Sequence, residues 1–131
     1  MIGLDTNILV RYFTFDDPSQ TARAIEVIDS LTSEEPGFVS LVVIAELVWV
    51  LDSAYRLRKD EIINCLEMLL RSEETVVQEA DTAWQALTAF KKNGGGYSDC
   101  LIERLGHAAG CRHTLTFDQK AANTAGMKLL R

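Results

Sequence analysis

A chain of 131 residues, 47% hydrophobic and 24% charged, has room for a real core and contains no low-complexity tract or internal repeat, which excludes a disordered tail or a solenoid and fits one globular domain, residues 1–131. The formal net charge of −6 counts against an ordinary nucleic-acid-binding surface, because affinity for phosphate backbones comes largely from Lys and Arg. Cys65, Cys100 and Cys111 form no CxxC pair and, with His107 and His113, match no zinc-finger spacing, so free thiols in a reducing, cytoplasmic setting are expected.

Along the chain, MIGL reads as a first strand ended by Asp5, and NILVRYF as a short helix. No basic segment followed by an apolar one opens the sequence, so no signal peptide is expected. Asp17 and Pro18 then suit the start of a helix whose apolar face is Ala22, Ile25, Ile28 and Leu31. PGFVS supplies a turn and a second strand. Ser40 is a good N-cap, and the unbroken run from Leu41 to Tyr55 is too long for a strand, which predicts a buried helix. With Glu46 inside it, the same run is too short and too charged to span a bilayer, so no membrane contact is expected.

KDEIINCLEMLLRS is an amphipathic helix on Ile62, Leu66, Leu69 and Leu70, TVVQ a short strand, and DTAWQALTAFKK a helix capped by Asp81. NGGGY is a loop. Ser98 is expected to cap the helix DCLIERLGHAAG, with Gly110 as its stop. HTLTF is a strand ended by Asp118, and MKLL a last short strand. Short apolar strands alternating with helices predict an α/β fold with a central parallel β-sheet flanked by α-helices, a fold in which sites form at the carboxyl ends of strands.

Four carboxylates stand out against that pattern. Asp5 and Asp118 follow apolar strands, where each can cap the next helix or serve a site. Asp99 falls in the first turn of its helix, favourable ground for an anion. Glu46 has Val42, Val43, Trp49 and Val50 three and four residues away, which predicts a side chain facing inward. Trp49 and Trp84 both fall at core spacing. If the four acids converge, their repulsion demands a cation, and oxygen-only ligands favour Mg2+ or Mn2+, ions able to activate a water for phosphodiester hydrolysis. Four of the 19 acidic residues then belong to the site itself, which softens the charge objection.

Asp99, Glu103 and His107 repeat every fourth residue but read as a solvated helix face, and the basic stretches RLRK at 56–59 and Lys91–Lys92 as helix ends. Gly94, Gly95 and Gly96 lack a phosphate-loop context and read as a loop beside Asp99.

Together LDTNIL, the SLVVIAELVWVL helix with its Glu, the GYSDCLI helix start and the late TLTFD resemble the PIN-domain ribonucleases, most closely the VapC-type toxins of toxin-antitoxin pairs, over essentially the whole chain. The resemblance implies a PIN-like single domain, magnesium-dependent endonucleolytic cleavage of RNA, homodimerisation and inhibition by a VapB-like antitoxin. It carries the acidic positions onto Asp5, Glu46, Asp99 and Asp118, with Asp5 and Asp99 as direct ligands, and the supporting polar positions onto Thr6, Asn7, Ser98 and Thr116. Asn7 would orient Asp5, and a hydroxyl at Thr116 or Ser98 would hold a water or a second carboxylate. Cys100, where the family often has a small residue, reads as a buried thiol with no role as a nucleophile.

Two other classes of function share part of the pattern. A receiver-type phosphoacceptor also gathers acids around magnesium, but it needs a lysine on a separate strand, whereas Lys120 lies two residues past Asp118. A catalytically silent PIN-like binding module would be free to lose the four acids.

Overall fold

The structure, a computed structural model, describes residues 1–131. The chain packs as two compact units, Met1–Gln78 and Glu79–Arg131.

In the first unit, strands β1 (Ile2–Gly3), β2 (Gly37–Val39) and β3 (Thr75–Val77) form a parallel sheet in the order β1-β2-β3. Ile2 pairs with Gly37, and Gly37 with Thr75. Gly37 leaves no room for a side chain without a shift of its neighbours: a Cβ there would stand 2.7 Å from Leu4 Cδ1 and 2.9 Å from Leu31 Cδ1, both on buried residues. Helices α1 (Thr6–Thr14) and α2 (Pro18–Ser30) join β1 to β2, and α3 (Leu41–Ser53) and α4 (Lys59–Arg71) join β2 to β3.

Local chemistry sets most of these boundaries. The Asp5 carboxylate accepts from the Thr6 amide at the start of α1, Asp17 accepts from the Gln20 amide with Pro18 next in line, and Ser40 accepts from the Val43 amide at the start of α3. The inward face of α2 is Thr21 and Ala24, continued by buried Leu31, with Ile25 and Ile28 half-buried; Ala22, assigned to that face by its spacing, is exposed. The α4 face is Ile62, Leu66 and Leu69, as the periodicity predicts, with Leu70 of the same prediction half-buried. Leu9, Val39, Ile44, Leu47 and Leu51 are completely or almost completely buried, each Leu contributing roughly 1.5–3 kcal/mol.

In the second unit, α5 (Ala80–Lys92) packs along α6 (Tyr97–Ala108), with α7 (Gln119–Ala125) against α6 and against a parallel pair, β4 (Leu115–Thr116) and β5 (Lys128–Leu129). The Tyr97 hydroxyl donates to the Ala83 carbonyl at 3.0 Å, and its ring meets Phe90 edge-on with centroids 5.9 Å apart. That anchor explains why Ser98 is not the cap of α6. Holding Tyr97 as the first residue of the helix makes Gly96 the extended N-cap and puts Ser98 and Asp99 inside the first turn. Asp81 likewise sits inside the first turn of α5, behind Glu79, which takes the N-cap position in a left-handed conformation without a side-chain bond. Helix α6 ends as expected, in a Schellman arrangement: Gly110, at φ 92°, donates to His107 O, and Cys111 donates to Gly106 O.

Five parallel-paired strands and seven helices make the α/β architecture the sequence predicts. No helix is long and apolar enough to cross a membrane.

Candidate functional site

The first unit builds one polar centre at the carboxyl end of β1. Leu4 is buried, and the chain emerges from it at Asp5, which is exposed. Asp5 Oδ1 takes the Thr6 amide at 2.7 Å, so the residue caps α1 and leaves Oδ2 available. The Thr6 hydroxyl donates to Glu46 Oε1 at 2.9 Å, tying α1 to α3. Thr6 therefore touches both carboxylates, one by its backbone and one by its side chain. Asn7 makes no hydrogen bond to Asp5, so the orienting contact comes from Thr6 alone. Asp5, Thr6, Asn7 and Glu46 line a depression of about 420 Å³, together with Val10, Arg11, Val50, Ala54 and Tyr55.

Glu46 reaches this centre from outside the core, contrary to the inward orientation its neighbours suggest. Helix α3 buries Val43, Ile44, Leu47, Val48 and Leu51, and its opposite face exposes Val42 (70%), Glu46 and Trp49 (68%). The helix is apolar nearly all round, so apolar neighbours at three and four residues do not say which side is inside. Trp49, at core spacing in the sequence, is for the same reason a surface residue. Trp84 is half-buried.

Beside the carboxylates lies a braced cation that sequence reasoning missed. Arg11 donates through Nε to Gln20 Oε1 (2.7 Å) and through Nη1 to Asp16 Oδ1 (2.8 Å) and Tyr55 Oη (3.1 Å); the Tyr55 hydroxyl in turn donates to the other oxygen of Asp16. The Tyr55 hydrogen bond, followed by the Arg11 charge, holds the Asp16 carboxyl below the usual carboxylate range despite some desolvation. The available signal was the position of Arg11, one helical turn after Asn7 on the α1 face that carries the site.

In the second unit, Asp99 is half-buried in the first turn of α6, and Cys100 beside it is buried, a small thiol as expected. Asp118 caps α7: its Oδ1 accepts from the amides of Lys120 (2.9 Å) and Ala121 (3.3 Å). Thr116 supports it through the backbone, its hydroxyl accepting from the Asp118 amide at 3.0 Å. Ser98 is half-buried, one residue before Asp99. Glu103 is held by Arg104 through two hydrogen bonds of 2.6 and 3.2 Å, but its side chain is only 17% exposed, so it does not lie on the solvated face its spacing suggests.

Within neither unit do three or more His, Cys, Asp or Glu side chains gather in metal-ligating geometry. Asp5 and Glu46 belong to the first unit and Asp99 and Asp118 to the second, and Asp5, Glu46 and Asp118 each keep one oxygen free of the bonds described. In the first unit Asp5 and Glu46 offer oxygen atoms only, a chemistry that suits a hard divalent cation better than zinc or copper.

A parallel α/β fold with an Asp at the end of its first strand and a Glu hydrogen-bonded beside it defines a class. The PIN domain family profile matches residues 2–127, and the chain belongs to that family. It is also similar to a protein named VapC ribonuclease from Aquifex aeolicus (strain VF5), 25% identical over 122 residues that cover 89% of this chain and 87% of the relative.

Proposed function

We propose that the protein is a divalent-metal-dependent endoribonuclease, the toxic component of a VapBC-type pair, built as one PIN domain over residues 1–131. The observation that carries this reading is the Asp5–Thr6–Glu46 link, which ties the carboxylate that caps α1 and a carboxylate of α3 to one residue at the carboxyl end of a parallel strand. Membership of the PIN family and similarity to a VapC ribonuclease support it.

Asp5, Glu46, Asp99 and Asp118 are the proposed catalytic and metal-holding residues, with Thr6, Asn7, Ser98 and Thr116 in support. Mg2+ or Mn2+ would be held by Asp5 and Asp99 first, and when bound it supplies Lewis acidity and a lowered pKa for a water. Thr6 holds the Glu46 carboxylate by donating to Oε1, which leaves Oε2 to accept a proton from an attacking water. The Asp5 cap fixes one of that residue's oxygens and so the direction of the other. Asn7, on the rim of the depression, offers an amide to a substrate phosphate. A VapB-like antitoxin, a homodimeric state and a cytoplasmic setting complete the proposal; the three free thiols support the last.

Purified protein freed of any antitoxin should cut RNA with magnesium or manganese. Asp5→Asn and Asp99→Asn should each abolish cutting with the fold retained by circular dichroism. A wild type inert on RNA that takes up phosphate from a small phosphodonor would establish a receiver domain instead, and inertness in both assays a silent binding module.

A further inference from the structure

An acidic protein that cuts RNA must hold a polyanion next to its own carboxylates, and the lining of the Asp5–Glu46 depression contains a single basic residue, Arg11. Three features of Arg11 suit it to that task. Its side chain is 27% exposed, so a ligand can reach it. Gln20, Asp16 and Tyr55 occupy Nε and Nη1, which freezes the guanidinium plane before any ligand arrives, while Nη2 makes no hydrogen bond to the protein. And Arg11 follows Asn7 by one turn of α1, so cation and amide share one side of the helix, and both line the depression together with Asp5. A surface arginine with no task would spend less of its neighbours' hydrogen bonding on being held still: here three side chains from α2, the preceding loop and the segment after α3 converge on it.

We infer that Arg11 is a phosphate-docking residue, its Nη2 amino group contacting a backbone phosphate of the RNA that lies across the Asp5–Glu46 depression, and that Tyr55, Asp16 and Gln20 are positioning residues acting through it. This rests on the ribonuclease reading above and adds to it the one cation of the depression and its substrate contact. Arginine suits the role because its fork is always charged and loses little freedom on binding once braced. Asp16 offsets part of the charge, which limits the contact to a phosphate brought close by the rest of the site.

The test is steady-state cleavage of a single-stranded RNA oligonucleotide with magnesium over a range of salt concentrations. Arg11→Gln should raise KM about tenfold, as loss of one charge-assisted hydrogen bond does, with little change in kcat, and should flatten the dependence of log kcat/KM on log salt by about one unit. Arg11→Lys keeps the charge but not the fork, and should restore the salt slope while KM stays raised. If Arg11→Gln fails to fold, Arg11→Lys decides: a raised KM with the wild-type salt slope supports the contact, and a wild-type KM overturns it. A wild type that cuts RNA while Arg11→Gln matches it in KM and in salt slope overturns this inference alone. A wild type inert on RNA removes the ribonuclease reading and this one with it.

Discussion

Thr6 donates twice, from its amide to Asp5 and from its hydroxyl to Glu46, so one residue contacts both the carboxylate that caps α1 and a carboxylate of α3. The two bonds are separable, because only the second needs the side chain. Thr6→Val preserves shape and the capping amide while leaving Glu46 unheld. Both groups are partly solvated, so the stability cost should stay near 1 kcal/mol. Affinity for magnesium, read by calorimetry or by the rise in Tm that the ion gives, should fall about 10- to 100-fold, as loss of a ligand-orienting contact does. An unchanged affinity would mean that the Thr6–Glu46 bond is structural only.

Asp5 combines a cap with a proposed ligand, and two substitutions divide these roles. Asn is as good a cap as Asp, so Asp5→Asn should leave Tm in EDTA almost unchanged while RNA cleavage is lost. Asp5→Ala loses the cap as well and should cost about 1 kcal/mol more in urea titrations. Equal stability of the two variants would show that the Thr6 amide bond contributes nothing.

The two faces of α3 make opposite predictions. Leu47 is fully buried, so Leu47→Ala should destabilise by about 2–5 kcal/mol. Trp49, two residues on, is 68% exposed, and Trp49→Ala should stay within about 0.5 kcal/mol in the same measurement on the monomeric chain. A large loss at Trp49 would mean that this face is packed in solution.

Acid should weaken the Arg11 brace. The folded carboxyl of Asp16 titrates below its ordinary value, chiefly through the Tyr55 hydrogen bond, so its contribution is present above the unfolded carboxylate pKa of about 3.9 and is lost as pH falls through the lower folded value. Asp16→Asn should therefore be less stable than wild type at neutral pH, with the gap closing as pH drops below about 4. Unfolding curves from neutral pH down to pH 2 check this, and a gap that is constant with pH would mean that the Asp16 charge does not matter.

What could be read from the sequence was what local chemistry decides. Asp17–Pro18, Ser40 and Gly110 mark helix ends through bonds made within a few residues, and all three do so in the structure. Ser98 and Asp81 carry the same capping chemistry but lie inside their helices, because the anchoring of Tyr97 against α5 and the left-handed turn at Glu79 set where those helices start. The direction of Glu46 was hidden by a helix too apolar for its periodicity to point anywhere. The brace on Arg11 was hidden for another reason: its partners lie 5, 9 and 44 residues away, and no spacing rule links them. Of the candidate site, the residue types and their order were legible, and the contact between Thr6 and Glu46 was not.

Trp49 stands one helical turn from Glu46 with most of its indole in water, whereas Trp84 is half-buried. Nature has thus placed an optical reporter on the rim of the carboxylate face. Its emission should lie toward the red and be readily quenched by acrylamide in the free chain. Whatever comes to cover that face, whether nucleic acid, a second copy or an inhibitor, should shift the emission to the blue and shield it from the quencher. Occupancy could then be followed in real time on unlabelled protein, with Trp49→Phe as the control that leaves only the emission of Trp84.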